Sequence, residues 1–450
     1  MSKNLLVFSL LPCLCFAQAN AKDVNAEDTK LFGDFVKEQT DDIPLLEGLT
    51  VDGELKFGFV TANQHLSKEV DNPSAFLDGD VDINYKTVVD GIAWGFKIGT
   101  HARSGLVKQG SAIVDSSFLF ADTGNLGQFR IGYSKSAGAM FSVSYADVMT
   151  GYNLIDSGNA PCFFAQTSGT ILGTGFDKDD GKSLKFVWVS PTIKGWTLGF
   201  SYAPNSKDGH LFKEKRNKSE KDFSYAQNFA DDSSYIKDSF TAGISYEYGD
   251  PEAFNLKVAA AGWLAQGRSD NSDPRNVQGY NVGAILGYGK YKLALGYTDN
   301  INSMLPKTLG NTPWDGTDGK GNQLVSAEDK ITRTIDVGMG GEANAGKIYN
   351  IGAGYFGDKW EMSAGYFQAE KKWSPTDKAK SKIATVAVQY NIDKMVSAYV
   401  EYNNIRTECT DRIYYSEIFS ETNNGTEKTS FKAHRNNRAN LFIVGAKINL

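Results

Sequence analysis

The chain has 450 residues, 47 basic against 53 acidic, a formal net charge of −6, 46 glycines and 12% aromatic residues. That acidic balance argues against a nucleic-acid partner, which requires a basic field. Beyond the N-terminal region no stretch approaches eighteen consecutive apolar residues, so a helical membrane span is not encoded.

The N-terminus reads as a secretory signal over residues 1–21: Lys3, a short apolar run from Leu5 to Phe16, and Ala19-Asn20-Ala21 as the cleavage site. Cys13 and Cys15 leave with it. Cys162 and Cys409 remain in expected loops, and an oxidising compartment would permit a bridge between them. Residues 22–48 form an acidic periplasmic segment with a short helix expected around Glu27 to Lys37, ended near Pro44.

From Leu49 onward apolar residues recur at every second position. The clearest case is GAILGYGKYKLALGYT (283–298), where Leu286, Tyr288, Tyr291, Leu293, Leu295 and Tyr297 alternate with glycine and small or polar residues across a Gly289-Lys290 turn. Period-two apolarity defines strands with one greasy and one wet face. It predicts strands over 50–62, 79–90, 91–103, 112–121, 127–135, 183–190, 195–203 and 239–249, then 254–267, 278–289, 291–299, 347–357, 360–371, 381–392, 395–407 and 438–450. Short turns such as Asp90-Gly91 and Ile392-Asp393-Lys394 fall at every second junction. The intervening junctions are mostly long, with 136–182, 204–238, 300–346 and 408–437 the extremes.

Sixteen strands with loops segregated in this way predict an all-β, up-and-down antiparallel transmembrane barrel over 49–450, with lipid outside and water inside. Closure leaves no sheet edge, which hydrocarbon demands because nothing there can satisfy a bare N–H or C=O. A barrel of this size encloses an aqueous lumen. Outward tyrosines and tryptophans near strand ends, among them Trp188, Trp196, Tyr246, Tyr355, Trp360 and Tyr390, fit interfacial girdles.

The last strand, NLFIVGAKINL (440–450), places Phe442, Val444, Ala446, Ile448 and Leu450 on one face, and resembles the C-terminal signature of outer-membrane proteins, with Leu where Phe is usual. The stretch DSSFLFADTGNLGQFRIGYSKSAG (115–138) resembles the region before the constriction loop of Gram-negative general porins. The resemblance implies that 136–182 folds into the pore. It also implies a homotrimer in the bacterial outer membrane, passing small hydrophilic solutes and ions passively.

Alternation assigns the lumen residues. Lys56, Lys86, Lys97, Arg103, Arg130 and Lys447 point inward and form a basic wall on strands sixteen and one to five. The loop carries Asp147 and Asp156, with Asp177, Asp179 and Asp180 near its exit. Two unit charges about 10 Å apart in water interact by only about 0.4 kcal/mol. Several such pairs give a potential of a few kT, enough for a size-and-charge sieve.

Competing readings are an enzymatic barrel, a surface adhesin or structural barrel with partner-binding loops, and a substrate-selective channel. An enzyme requires a positioned acid–base or nucleophilic group. Of the four histidines, His65, His210 and His434 fall in expected loops, and His101 alone faces the lumen. The spacing of cysteines, histidines and acids suggests neither a metal nor a cofactor. A selective channel would need an aromatic slide or arginine track, and few inward aromatics are expected.

Overall fold

The computed structural model describes residues 48–65, 74–104, 111–157, 160–164, 170–174, 181, 183–206, 235–268, 275–301, 303, 344–372, 378–409, 415–423, 426–434 and 436–450. The expected signal, the acidic segment, Asp177, Asp179 and Asp180 lie outside the described residues, as do the side chains of Arg103 and Cys162.

Sixteen strands close into one antiparallel barrel. They are β1 (Leu49–Gln64), β2 (Ser74–Val89), β3 (Ile92–Ser104), β4 (Ser111–Asp122), β5 (Gln128–Tyr133), β6 (Leu184–Val189), β7 (Trp196–Asn205) and β8 (Tyr235–Gly249). After them come β9 (Phe254–Arg268), β10 (Val277–Tyr288), β11 (Tyr291–Asp299), β12 (Asn344–Phe356), β13 (Trp360–Lys372), β14 (Lys378–Asn391), β15 (Val396–Cys409) and, last in the chain, β18 (Asn436–Asn449). Every expected strand is present. Between β15 and β18 stands a separate two-stranded hairpin, β16 (Tyr415–Asn423) with β17 (Thr426–His434), where only a loop was expected.

The seam is ordinary ladder: Leu55 faces Ile448, Lys56 faces Lys447, and the Leu450 N–H donates to the Gly53 carbonyl at 2.9 Å. Each backbone group along the first and last strands is thus offered a partner inside the hydrocarbon layer. Short turns use residues able to take positive φ. Asp90 (52°) with Gly91 (78°), and Lys194 (51°) with Gly195 (87°), give the paired left-handed geometry whose twist matches flanking antiparallel strands.

The outer face is apolar as the alternation requires. Phe57, Phe59, Trp94, Leu119, Ile131, Phe442 and Val444 are all exposed on it. The girdle residues meet as cross-strand pairs: Trp196 with Tyr246 at 4.7 Å between ring centres, Trp360 with Tyr390 at 4.8 Å, and Tyr291 with Tyr355 at 5.2 Å. Such pairs stabilise a sheet beyond the area they cover.

The inner face departs from the expectation of a uniformly wet surface. Val60, Ile348, Phe367, Ile383, Ile405, Leu441 and Ile443 point inward and are buried in a hydrophobic cluster. Trp263 heads a second one with Ile236, Ala265 and Val277. The first cluster is a core built between the wall and a segment of chain lying inside the barrel.

Candidate functional site in the barrel lumen

That segment is the loop after β5. It carries helix α1 (Ala137–Phe141), a 3-10 turn (Tyr145–Val148) and helix α2 (Ala160–Phe163). Ser136 caps α1 through the Ala139 N–H, and Ser144 with Asp147 forms a reciprocal capping box on the 3-10 turn. These caps satisfy local donors, but a loop inside a barrel still needs partners for the rest of its backbone.

Successive strands supply them. Ser201 on β7 accepts from the Ala137 N–H, Thr241 on β8 from Gly138, Asn281 on β10 from Val143, and Asn350 on β12 from Tyr145, at 2.7–3.1 Å. Farther round, Ser363 on β13 accepts from Thr150 at 2.9 Å and Gln389 on β14 from Gly151 at 3.3 Å. Glu401 on β15, fully buried, takes the Asn153 and Leu154 N–H groups at 2.7 and 3.0 Å. Tyr152, fully buried as well, crosses to β2 and donates to Asp78 at 3.0 Å. The return path is tied to Ser381 of β14 at Ile171 and to Thr298 of β11 at Thr174.

The loop therefore rests on the wall from β7 to β15, and glycines make the seat. A Cβ at Gly243 would stand 2.5 Å from Phe141, and one at Gly365 would stand 2.2 Å from Tyr145. Contacts under 3 Å leave no room for any larger residue there. Below the tip, Tyr152, Leu154, Phe163 and Phe164 join the inward apolar residues of β1, β2, β12–β15 and β18 in the core cluster. Phe76 lies 4.6 Å from the Tyr152 ring and 5.6 Å from that of Phe163.

The wall expected to be basic runs over β18 and β1–β5, and the loop reaches it as well, through Tyr152 at Asp78 and Met140 at Arg130. Lys56 and Lys447 are cross-strand neighbours and share Glu54, at 2.7 and 3.2 Å. Lys97 pairs with Asp82 at 2.5 Å. Arg130 lies over the Phe118 ring at 5.3 Å and reaches Gln128 and the Met140 sulfur of α1. Lys86 lies exposed near the short-turn end, and Arg103 stands in register with Asp78. The six positions share one face, but carboxylates are interleaved: Asp52, Glu54, Asp78, Asp80 and Asp82 occupy the same stretch of β1 and β2. Sequence reasoning weighed the cations of this wall and passed over most of these acids. The signal was available, since each acid sits at an inward position of the same alternation.

His101, expected to face the lumen, stands in register with Asp80; its Nε2 lies 3.0 Å from Asp78 and its Nδ1 contacts Asp80, both across the ladder on β2. Asp147 and Asp156 are exposed on the loop. Glu401 had no place in the sequence reading, and neither had Lys185 on β6, which is buried and donates to the Gly181 carbonyl. The inward aromatics Phe76, Phe118, Phe120, Trp263, Phe367 and Tyr399 are also more numerous than expected.

A closed barrel with a greasy exterior, aromatic girdles and a polar passage narrowed from within is a transmembrane channel of the outer-membrane kind. The comparison with known proteins agrees. The sequence model of the Gram-negative porin family matches residues 14–410, and the chain belongs to that family. Its place is the outer membrane, and its function is a passive channel. Among solved structures the chain is similar to OmpT, an outer-membrane protein of Vibrio cholerae, at 15% identity, covering 89% of this chain and 97% of that one, TM-score 0.49. It is similar to a variant of the Rh. blastica porin at 11% identity, covering 89% and 100%, TM-score 0.49. The anion-selective porin from Comamonas acidovorans gives 12% identity, 89% and 99%, TM-score 0.48. No curated protein matches the sequence.

Proposed function

We propose that the channel sorts small hydrophilic solutes and ions by size, with a weak charge preference set between the loop acids Asp147 and Asp156 and the wall carrying Lys56, Lys86, Lys97, Arg103, Arg130 and Lys447. The observations that support this reading are the anchoring of the loop from β7 to β15 and the exposure of Asp147 and Asp156 upon it. Because Glu54 and Asp82 already offset Lys56, Lys447 and Lys97, the field is a small residual, and selectivity is correspondingly shallow. Reversal potentials in planar bilayers under a salt gradient test it. Neutralising Lys97 and Arg130 together moves the potential toward cation preference, and an unchanged potential removes the wall from the mechanism.

A second reading, a channel with a preferred solute, is favoured by Arg130 lying over Phe118, because a cation beside an aromatic floor suits a planar anionic guest. Block of the ion current by aromatic carboxylates separates the two. The family resemblance supports a homotrimer, and His101 held between two carboxylates supports an ion-pair role over a catalytic one. We read residues 1–21 as a cleaved signal and 22–48 as a periplasmic segment.

A further inference from the structure

On β13, β14, β15 and β18 the outward-facing rows change character stepwise toward the long-loop end, the external side of such a barrel. The first row is apolar: Ala364, Val386, Tyr402 and Phe442 stand in cross-strand register. Two residues farther out the row is Tyr366, Ala384, Asn404 and Asn440. There Asn404 donates to the Asn440 side-chain oxygen at 2.7 Å, and the Tyr402 hydroxyl reaches up to the same oxygen at 2.8 Å. The next row is Gln368, Lys382, Arg406 and Arg438. Three cations therefore sit side by side on adjacent strands.

Their facing is fixed by their neighbours in the chain. Phe367, Ile383, Ile405 and Ala439, each one residue away from a member of this row, are buried on the lumen side. Lys382, Arg406 and Arg438 consequently point away from the lumen, and all three are exposed. Like charges directly opposite one another in a sheet destabilise it. The surroundings offset little of that. Arg406 uses its Nε on the Asn404 side-chain oxygen at 3.2 Å. In the row beyond, Glu370 is taken by Lys380 at 2.8 Å and Lys372 at 3.4 Å. Glu408 stands exposed in that same row, in register with Lys380. Among the described residues, none of the three cations has a carboxylate partner.

We infer that this row binds a lipid of the outer leaflet whose head carries two phosphate monoesters. Height in the membrane is the first argument. From Tyr366 to Gln368 is two residues, about 7 Å of strand, and the headgroup layer is about 5–8 Å thick per leaflet. The cations thus lie level with lipid heads, while the acyl chains run down over Val386, Tyr402 and Phe442, all exposed. Charge is the second. A phosphate monoester carries about −1.5 to −2 and three acceptor oxygens, a diester only one charge, and a guanidinium takes such oxygens in pairs. Width is the third. Lys382 and Arg438 are two strands apart, about 10 Å at the backbone, which gives two phosphates separate places with Arg406 between them.

The test is native mass spectrometry of the full chain, extracted in mild detergent and incubated in turn with bisphosphorylated lipid A, the same lipid A with both phosphates removed, and phosphatidylglycerol. The expected result is one bisphosphorylated lipid per chain, retained at least about tenfold over the other two. Arg406→Gln with Arg438→Gln reduces that retention about tenfold while single-channel conductance stays unchanged, because both side chains face away from the lumen. Lys290→Gln with Lys359→Gln, an equal loss of charge at the opposite rim, leaves retention as it was. Equal retention with and without the phosphates overturns the proposal, as does phosphatidylglycerol held as well as the bisphosphorylated lipid. An adduct that survives the arginine pair, or falls equally with the opposite-rim pair, overturns it too. So does loss of oligomer mass in the arginine pair with the lipid still bound, because the row would then face another copy of the chain. Should the arginine pair not fold, Lys382→Gln alone decides, with an expected loss of about threefold.

Discussion

Replacing Glu401 with alanine should free the tip of the internal loop while leaving the barrel closed. Both carboxylate oxygens of Glu401 accept from the loop, at 2.7 Å from Asn153 and 3.0 Å from Leu154, and Oε1 also accepts from Asn403 at 2.9 Å. Removing an acceptor from a buried donor costs about 1–3 kcal/mol each. Water can enter from the lumen and relieve part of that, so about 3 kcal/mol for the two loop donors is a fair total. At 1.4 kcal/mol per tenfold change, the tip should open about 100-fold more often. Hydrogen exchange read by mass spectrometry measures this directly: protection over Gly151–Ile155 should fall about 100-fold, while β7–β9 peptides keep theirs. Single-channel traces should show added flicker at unchanged mean unit count. Unaltered protection at the tip would mean that the other anchors suffice and that the ordering role given to Glu401 is mistaken.

Three further outcomes follow from the same geometry. Gly365→Val drives a side chain into Tyr145, whose Cδ2 lies 2.2 Å from the position of a Cβ, so the loop should lift from β13 and the conductance step should change, read in planar bilayers. Tyr152→Phe removes the 3.0 Å bond to Asp78 and should cost about 1 kcal/mol, visible as a several-fold loss of exchange protection near Tyr152. Leu119→Lys puts a charge on the lipid face at a position 61% exposed, and should destabilise the barrel by about 2–4 kcal/mol if it lies near the midplane, read by urea titration in lipid vesicles.

The barrel was legible because its signal is local. Two neighbours of opposite character, repeated, are enough to fix a strand and its facing, and Ile92 to Arg103 shows this in one line of sequence. The interior was legible only in outline. Glu401 and Asn153 are 248 residues apart, and no local pattern announces that they meet. Gly243 and Gly365 read as ordinary small residues of a barrel wall until Phe141 and Tyr145 are laid on them. Inward Ile405 and Leu441 broke the wet-face rule because the loop, and not water, covers them. The β16–β17 hairpin did have a signal, the Asn424-Gly425 pair between alternating residues, which was absorbed into a long loop.

The suspension of the loop has a bearing on how the molecule is made. Residues 137–174 leave the ribosome long before the strands that supply their hooks, and the last of those hooks arrives with β15. Until then Tyr152, Leu154 and Phe164 lack the part of their apolar seat that Tyr399, Ile405, Leu441 and Ile443 supply. Narrowing is consequently bound to closure: the strands that complete the loop's seat, β15 and β18, are the same ones that join the two ends of the sheet.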